Sequence, residues 1–148
     1  MYKHILVPTD GSKLSRKAIV TAVRMASLLG ARVTGVFAIP PYSPVAYGEG
    51  VVYAPPGSGD VYFRSVKKEA KKALAVLEIE ARIAGVRSAT AVVSGALPWE
   101  GILRAARARR CDLIVMASHG RRGLAGLLLG SETTKVLTHS KIPVLVCR

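Results

Sequence analysis

Residues 111–148 read CDLIVMASHGRRGLAGLLLGSETTKVLTHSKIPVLVCR, and the fold turns on them. Two apolar runs, Leu113 to Ala117 and Val144 to Cys147, enclose a loop rich in glycine and arginine (Ser118 to Gly130) and a short helix opening at Ser131. Runs that are apolar at every position, not at alternate ones, fit strands covered on both faces, as in a parallel sheet sandwiched by helices. In such sheets ligands bind beyond the carboxyl ends of the strands, where backbone amides and the next helix N-terminus face the same space. The Gly/Arg loop occupies that place, so its expected ligand is an anion, and a phosphate before others.

The rest of the chain repeats the pattern. His4-Ile5-Leu6-Val7 forms a short buried strand stopped by Pro8, and Thr9-Asp10-Gly11-Ser12 makes a turn in which Ser12 suits a helix N-cap. Leu14, Ala18, Ile19, Ala22, Val23, Ala26 and Leu29 then recur at helical spacing up to Gly30, which suits the position after a helix. A second strand spans Val33 to Ile39, completing a right-handed βαβ unit. Residues 40–60 carry five prolines and four glycines between Pro40 and Gly59, too many breakers for a helix. Such a loop is either a lid or unordered; Tyr42, Tyr47 and Tyr53 keep the lid reading open. Val66, Ala70, Ala73, Leu74, Leu77 and Ala81 mark a second helix with Lys67, Lys68, Lys71 and Lys72 on its outer face. A strand from Ala89 to Val93 and a helix opening at Pro98 complete the order, five parallel strands and four helices in one domain, 1–148.

At 148 residues the chain is long enough to bury roughly 70% of the surface its unfolded form exposes. Its apolar runs fall far short of the roughly 20 residues a membrane span requires. The first residues lack the apolar h-region of a secretory signal, so a cytoplasmic location is expected. Cys111 and Cys147 form no metal-knuckle or framework spacing and are read as buried thiols in strands. His4 and His139 are read as structural or solvated. The net charge of +13 permits non-specific polyanion binding through phosphates, although no nucleic-acid recognition motif accompanies it.

Neither GxxxxGK[ST] nor a strand followed by GxGxxG is present, which removes the P-loop and the standard dinucleotide-binding folds. The glycine loop follows the fourth strand, not the first. Asp112-Leu113-Ile114-Val115-Met116, Ser118-His119-Gly120-Arg121, Leu128-Leu129-Gly130-Ser131 and Pro143-Val144-Leu145-Val146 together resemble the closing half of the universal stress protein family. Ile5-Leu6-Val7-Pro8-Thr9-Asp10-Gly11-Ser12 resembles the family's start. The resemblance implies a doubly wound, Rossmann-like sheet of the adenine nucleotide alpha hydrolase type.

One branch of that family binds ATP through G-x2-G-x9-G-[ST]. Gly120, Gly130 and Ser131 match the later positions, and Ala117 stands where the first glycine would be. By this resemblance Gly120, Gly130 and Ser131 would hold the triphosphate with backbone amides and a hydroxyl. Asp10 and Ala38 would border the adenine, and Pro8 and Thr9 would line the same crevice. Met116 and Glu132 flank the pattern and complete the candidate set. Independently, glycine lets backbone approach phosphate oxygens, and Ser131 opens a helix whose terminal amides favour negative charge. The Ala117 methyl is a mild change if its φ is negative and costs roughly 1 kcal/mol or more if positive. Each residue also has a plainer role: Asp10 in a turn, Ser131 as an N-cap, His119 as an incidental loop residue, Arg121 and Arg122 as solvated charge or as phosphate contacts.

Three function classes follow: a stress-response regulator that binds ATP, AMP or ADP, with Mg2+ held through the phosphates and little or no hydrolysis; a nucleotide-free interaction protein; and a weak ATPase or phosphotransferase. No carboxylate, His or Lys is placed by motif as a catalytic base, which favours the first over the third. The strand 144–147 lies at a sheet edge in the family's order, has no internal charge or proline to block pairing, and is expected to join two chains in a homodimer.

Overall fold

The first strand, β1 (His4–Pro8), is buried along its whole length in the computed structural model, which describes residues 1–42, 46–47, 51–52, 55–94, 97–120 and 129–148. Ser12 caps the helix that follows, α1 (Lys13–Leu29), by accepting the Ser15 amide at 3.1 Å, and Gly30 closes it with φ 63°. β2 (Arg32–Ala38) returns parallel to β1, with His4 beside Arg32 and Pro8 beside Val36. A two-residue antiparallel pair, β3 (Ala46–Tyr47) and β4 (Val51–Val52), precedes α2 (Ser58–Ile83). Then come β5 (Ser88–Val93), α3 (Pro98–Ala108), β6 (Leu113–Ala117), α4 (Ser131–His139) and β7 (Val144–Cys147). The sheet runs β5-β2-β1-β6-β7 with every pairing parallel, the five-stranded doubly wound arrangement expected.

Alternation along the strands divides the core. Ile5 and Val7 of β1 face α1 and α2, meeting Ile19, Val23 and Leu77. Leu6, between them, faces α3 and α4 with Ile102, Leu103 and Val136. Where the sheet is covered on both faces, period-two side chains leave no polar face, which is why the central strands β1 and β6 read as nearly unbroken apolar runs.

Several local expectations need correction. The 40–60 segment carries the short pair β3–β4, and α2 already begins at Ser58. Pro55, Pro56 and Gly57 precede that helix instead of interrupting it, and Asp60 places a carboxylate in its first turn, where the helix dipole favours one. The question of a lid, and the side chains of Tyr47 and Tyr53, lie outside the described residues. Cys111 is buried just before β6, not in a strand, and Cys147 is only partly buried in β7. Burial pushes the Cys111 thiol up to about 11, so it remains protonated and unreactive at neutral pH.

His4 gives the fold a pH dependence. Its ring is 6% exposed, with Nε2 2.8 Å from the Thr34 hydroxyl and Nδ1 buried without a hydrogen-bond partner among the described residues. Burial first, and Arg32 second, hold its pKa below the ordinary value of about 6.5, while the Arg109 carbonyl and Asp112 pull weakly the other way. Below pH 6.5 the unfolded chain therefore binds a proton the folded chain resists, and stability falls as pH drops through that value towards the depressed folded pKa. We expect the urea midpoint to fall between pH 7.5 and pH 5, and His4→Gln to flatten that part of the profile. An equal slope in both proteins would assign the acid sensitivity to another group.

Candidate functional site

The chain leaves β1 for β2 on one side and returns through β6 on the other, so the loops after β1 and β6 stand at the switch point, the place at the carboxyl ends where sheets of this kind bind ligands. The β1 side is built from hydroxyls and a turn. The Thr9 amide donates to the Val36 carbonyl at 2.9 Å, holding the strand end against β2. Thr9 Oγ1 accepts the Gly11 amide at 3.2 Å and lies 3.0 Å from Ser15 Oγ. Asp10 Oδ1 accepts the Ser12 amide at 3.0 Å, the local bond that makes aspartate favourable in such turns.

The β6 side meets it directly. A methyl added at Gly120 would stand 2.5 Å from Asp10 Oδ2, so any side chain here would have to push the Asp10 carboxylate aside. Pro8, Thr9 and Asp10 are thus brought to the same place as Gly120. Ala38 ends β2 beside them, partly buried on the α3/α4 face. Ala117 is an extended residue of β6, which makes its methyl the mild case. The Met116 side chain is 5% exposed and packs in the core on the α3/α4 face. Arg121 and Arg122 lie outside the described residues.

The glycine–serine end of the pattern is arranged differently from the expectation. The Gly130 amide donates to the Ser118 carbonyl at 2.7 Å and so is already committed. Gly130, not Ser131, is the N-cap of α4, with extended φ and ψ of −75° and 160° and no side-chain capping bond. Ser131 is the first helical residue and is exposed. Helix geometry leaves the amides of Ser131 and Glu132 without intrahelical acceptors, and these replace Gly130 as the donors an anion would meet. Glu132 turns away: Oε2 accepts the Trp99 amide of α3 at 2.8 Å, and Oε1 stands 3.5 Å from Lys135 Nζ. A carboxylate that would oppose an anion is thereby drawn to the N-terminus of another helix. His119 is half-buried with Nδ1 3.2 Å from Ser118 Oγ.

Two positioning residues escaped the sequence reading. Thr133, 3% exposed, donates from Oγ1 to the Ala117 carbonyl at 3.0 Å and ties α4 to the end of β6. Its i, i+3 spacing to buried Val136 was the available signal. Ser118, 2% exposed, donates its amide to the Cys147 carbonyl at 2.8 Å, joining the loop to β7. Among the described residues no group of His, Cys, Asp and Glu is arranged to hold a metal ion, and no helix is long and apolar enough to cross a membrane.

These features define a doubly wound α/β domain with an anion-suited crevice at its switch point. The universal stress protein family model matches residues 1–148, and the chain belongs to that family. Universal stress protein MJ0531 of Methanocaldococcus jannaschii is 32% identical over 148 residues, covering 100% of this chain and 83% of the relative. The solved structure of MJ0577 matches with a TM-score of 0.81 at 28% identity, over 99% of this chain and 96% of that one. A universal stress protein solved in complex with cAMP matches with a TM-score of 0.65 at 27% identity, over 99% of this chain and 97% of that one.

Proposed function

We propose that this chain binds an adenine nucleotide, ATP before AMP or ADP, in the crevice between the ends of β1 and β6, and acts as a cytoplasmic stress-response regulator. The observation that carries the reading is the meeting of Asp10 and Gly120 across the switch point, beside the opening of α4. Asp10, Pro8, Thr9 and Ala38 would border the base. Gly120, the amides of Ser131 and Glu132, and the Ser131 hydroxyl would face the phosphates, with His119 at the rim and Mg2+ held through phosphate oxygens. The relative that binds cAMP supports the adenine end of this assignment.

Binding without efficient turnover fits the carboxylates described at the crevice. Asp10 holds the turn through the Ser12 amide and Glu132 caps α3, so neither is placed to activate water. Occupancy, not hydrolysis, is then the signal, read by a partner or by the second subunit of a β7-paired dimer.

Calorimetric titration of the purified chain with ATP and Mg2+ tests the site; an absent heat signal together with no nucleotide released on denaturation would leave the nucleotide-free interaction protein. Because Ala117 is extended and its methyl is the mild case, Ala117→Gly is expected to change ATP affinity by less than about threefold. A gain of tenfold or more would show that the methyl obstructs the ligand.

A further inference from the structure

A cleft of about 200 Å³ opens between α1 and α2, bordered by Thr9, Gly11 and Ser12 of the turn after β1. Its walls carry Arg16 from α1 and Lys72 from α2, against the single carboxylate of Glu69. Its floor is apolar, formed by Ile19, Ala73 and Val76.

The hydroxyls at the inner end follow a fixed direction. Ser15 Oγ donates to the Ser12 carbonyl at 2.9 Å, so it accepts from Thr9, whose own oxygen accepts the Gly11 amide. Ser12 Oγ accepts the Ser15 amide at 3.1 Å, and its proton therefore points away from the helix. The donors offered to a ligand are thus that hydroxyl, a guanidinium and an ammonium, contributed by two different helices.

We infer that this cleft is a second anion site, taking the phosphate group of a small phosphorylated ligand whose carbon portion rests on the apolar floor. Arg16 supplies the planar fork and Lys72 the point charge, the pairing that suits phosphate oxygens. The site is separate from the crevice but shares its turn: Ser12 lies in the cleft and also donates its amide to Asp10, which faces Gly120.

The test is a 1H–15N NMR titration of the whole protein with inorganic phosphate and, separately, glycerol 3-phosphate, each against sodium chloride at matched ionic strength. Saturable shifts are expected at Gly11, Ser12, Arg16 and Ala73, with about tenfold weaker binding in the Arg16→Gln/Lys72→Gln variant. Tighter binding of glycerol 3-phosphate than of phosphate identifies the ligand as a phosphate ester; equal binding identifies free phosphate. Shifts confined to Ser118, Gly130 and Ser131, shifts reproduced by sodium chloride, or an unchanged affinity in the double variant would each overturn the site. The crevice is read separately by ATP calorimetry, so a failure of the nucleotide assignment does not alter the outcome here.

Discussion

Gly120→Val is expected to lower ATP affinity roughly a hundredfold, about 3 kcal/mol, while the thermal midpoint moves little. The new Cβ would fall 2.5 Å from Asp10 Oδ2, and the yielding atom is the end of a short side chain, not backbone. The carboxylate must rotate away, breaking its bond with the Ser12 amide and moving the group assigned to the base, so the site is lost with the core untouched. Gly130→Arg provides the contrast. A Cβ there would stand 3.2 Å from His119 Cα and 3.3 Å from His119 Cβ, so the obstruction is the backbone of the loop itself. That variant is expected to lose ATP binding and also about 1–3 kcal/mol of stability, the usual cost of overpacking. Calorimetry and urea denaturation on both proteins separate the two cases; unaltered ATP affinity in Gly120→Val would place the nucleotide elsewhere.

The difference between those glycines also marks where sequence reasoning stops. Strands β1 and β6 were legible because burial on both faces demands an apolar residue at nearly every position, a requirement local enough to read from the chain. Ser12 and Gly30 were legible as caps for the same reason, since each acts on residues within one turn. Ser131 was read as the N-cap because serine is favoured there, yet Gly130 takes that position, held by its bond to Ser118, a contact across the loop that local preference does not show. The direction of Glu132 could not be read at all. Its carboxylate is held by an amide 33 residues earlier, and nothing near Glu132 in sequence announces a helix terminus without a side-chain cap of its own. The place of the Met116 side chain was equally out of reach: its position beside the motif is one of sequence, whereas the pleat turns it into the α3/α4 core.

Val146→Pro is expected to convert a homodimer into monomers at micromolar concentration without unfolding the chain. β7 is an edge strand, and the pattern of its bonds to β6 fixes which of its groups face outward. The Pro143 carbonyl accepts the Ile114 amide at 2.9 Å and the Cys147 carbonyl accepts the Ser118 amide at 2.8 Å, so odd-numbered residues of this strand point their backbone groups inward. Val144 and Val146 therefore present N–H and C=O to the open edge. The strand has no internal charge to discourage a second strand, and its own Leu145 is 38% exposed, leaving apolar surface at the edge. We propose that two β7 strands pair antiparallel about a two-fold axis, which satisfies both outward residues in each copy and continues the sheet from one subunit to the other. Proline at 146 removes an outward N–H that β6 does not use, so every intersubunit bond donated by Val146 is lost while the inner ladder is kept. Leu145→Pro, which strikes the inward register, should instead destabilise the fold. Light scattering and sedimentation on the wild-type chain and Val146→Pro decide the matter: a wild-type monomer, or a dimer unaffected by the proline, would mean that the edge of β7 is not the interface.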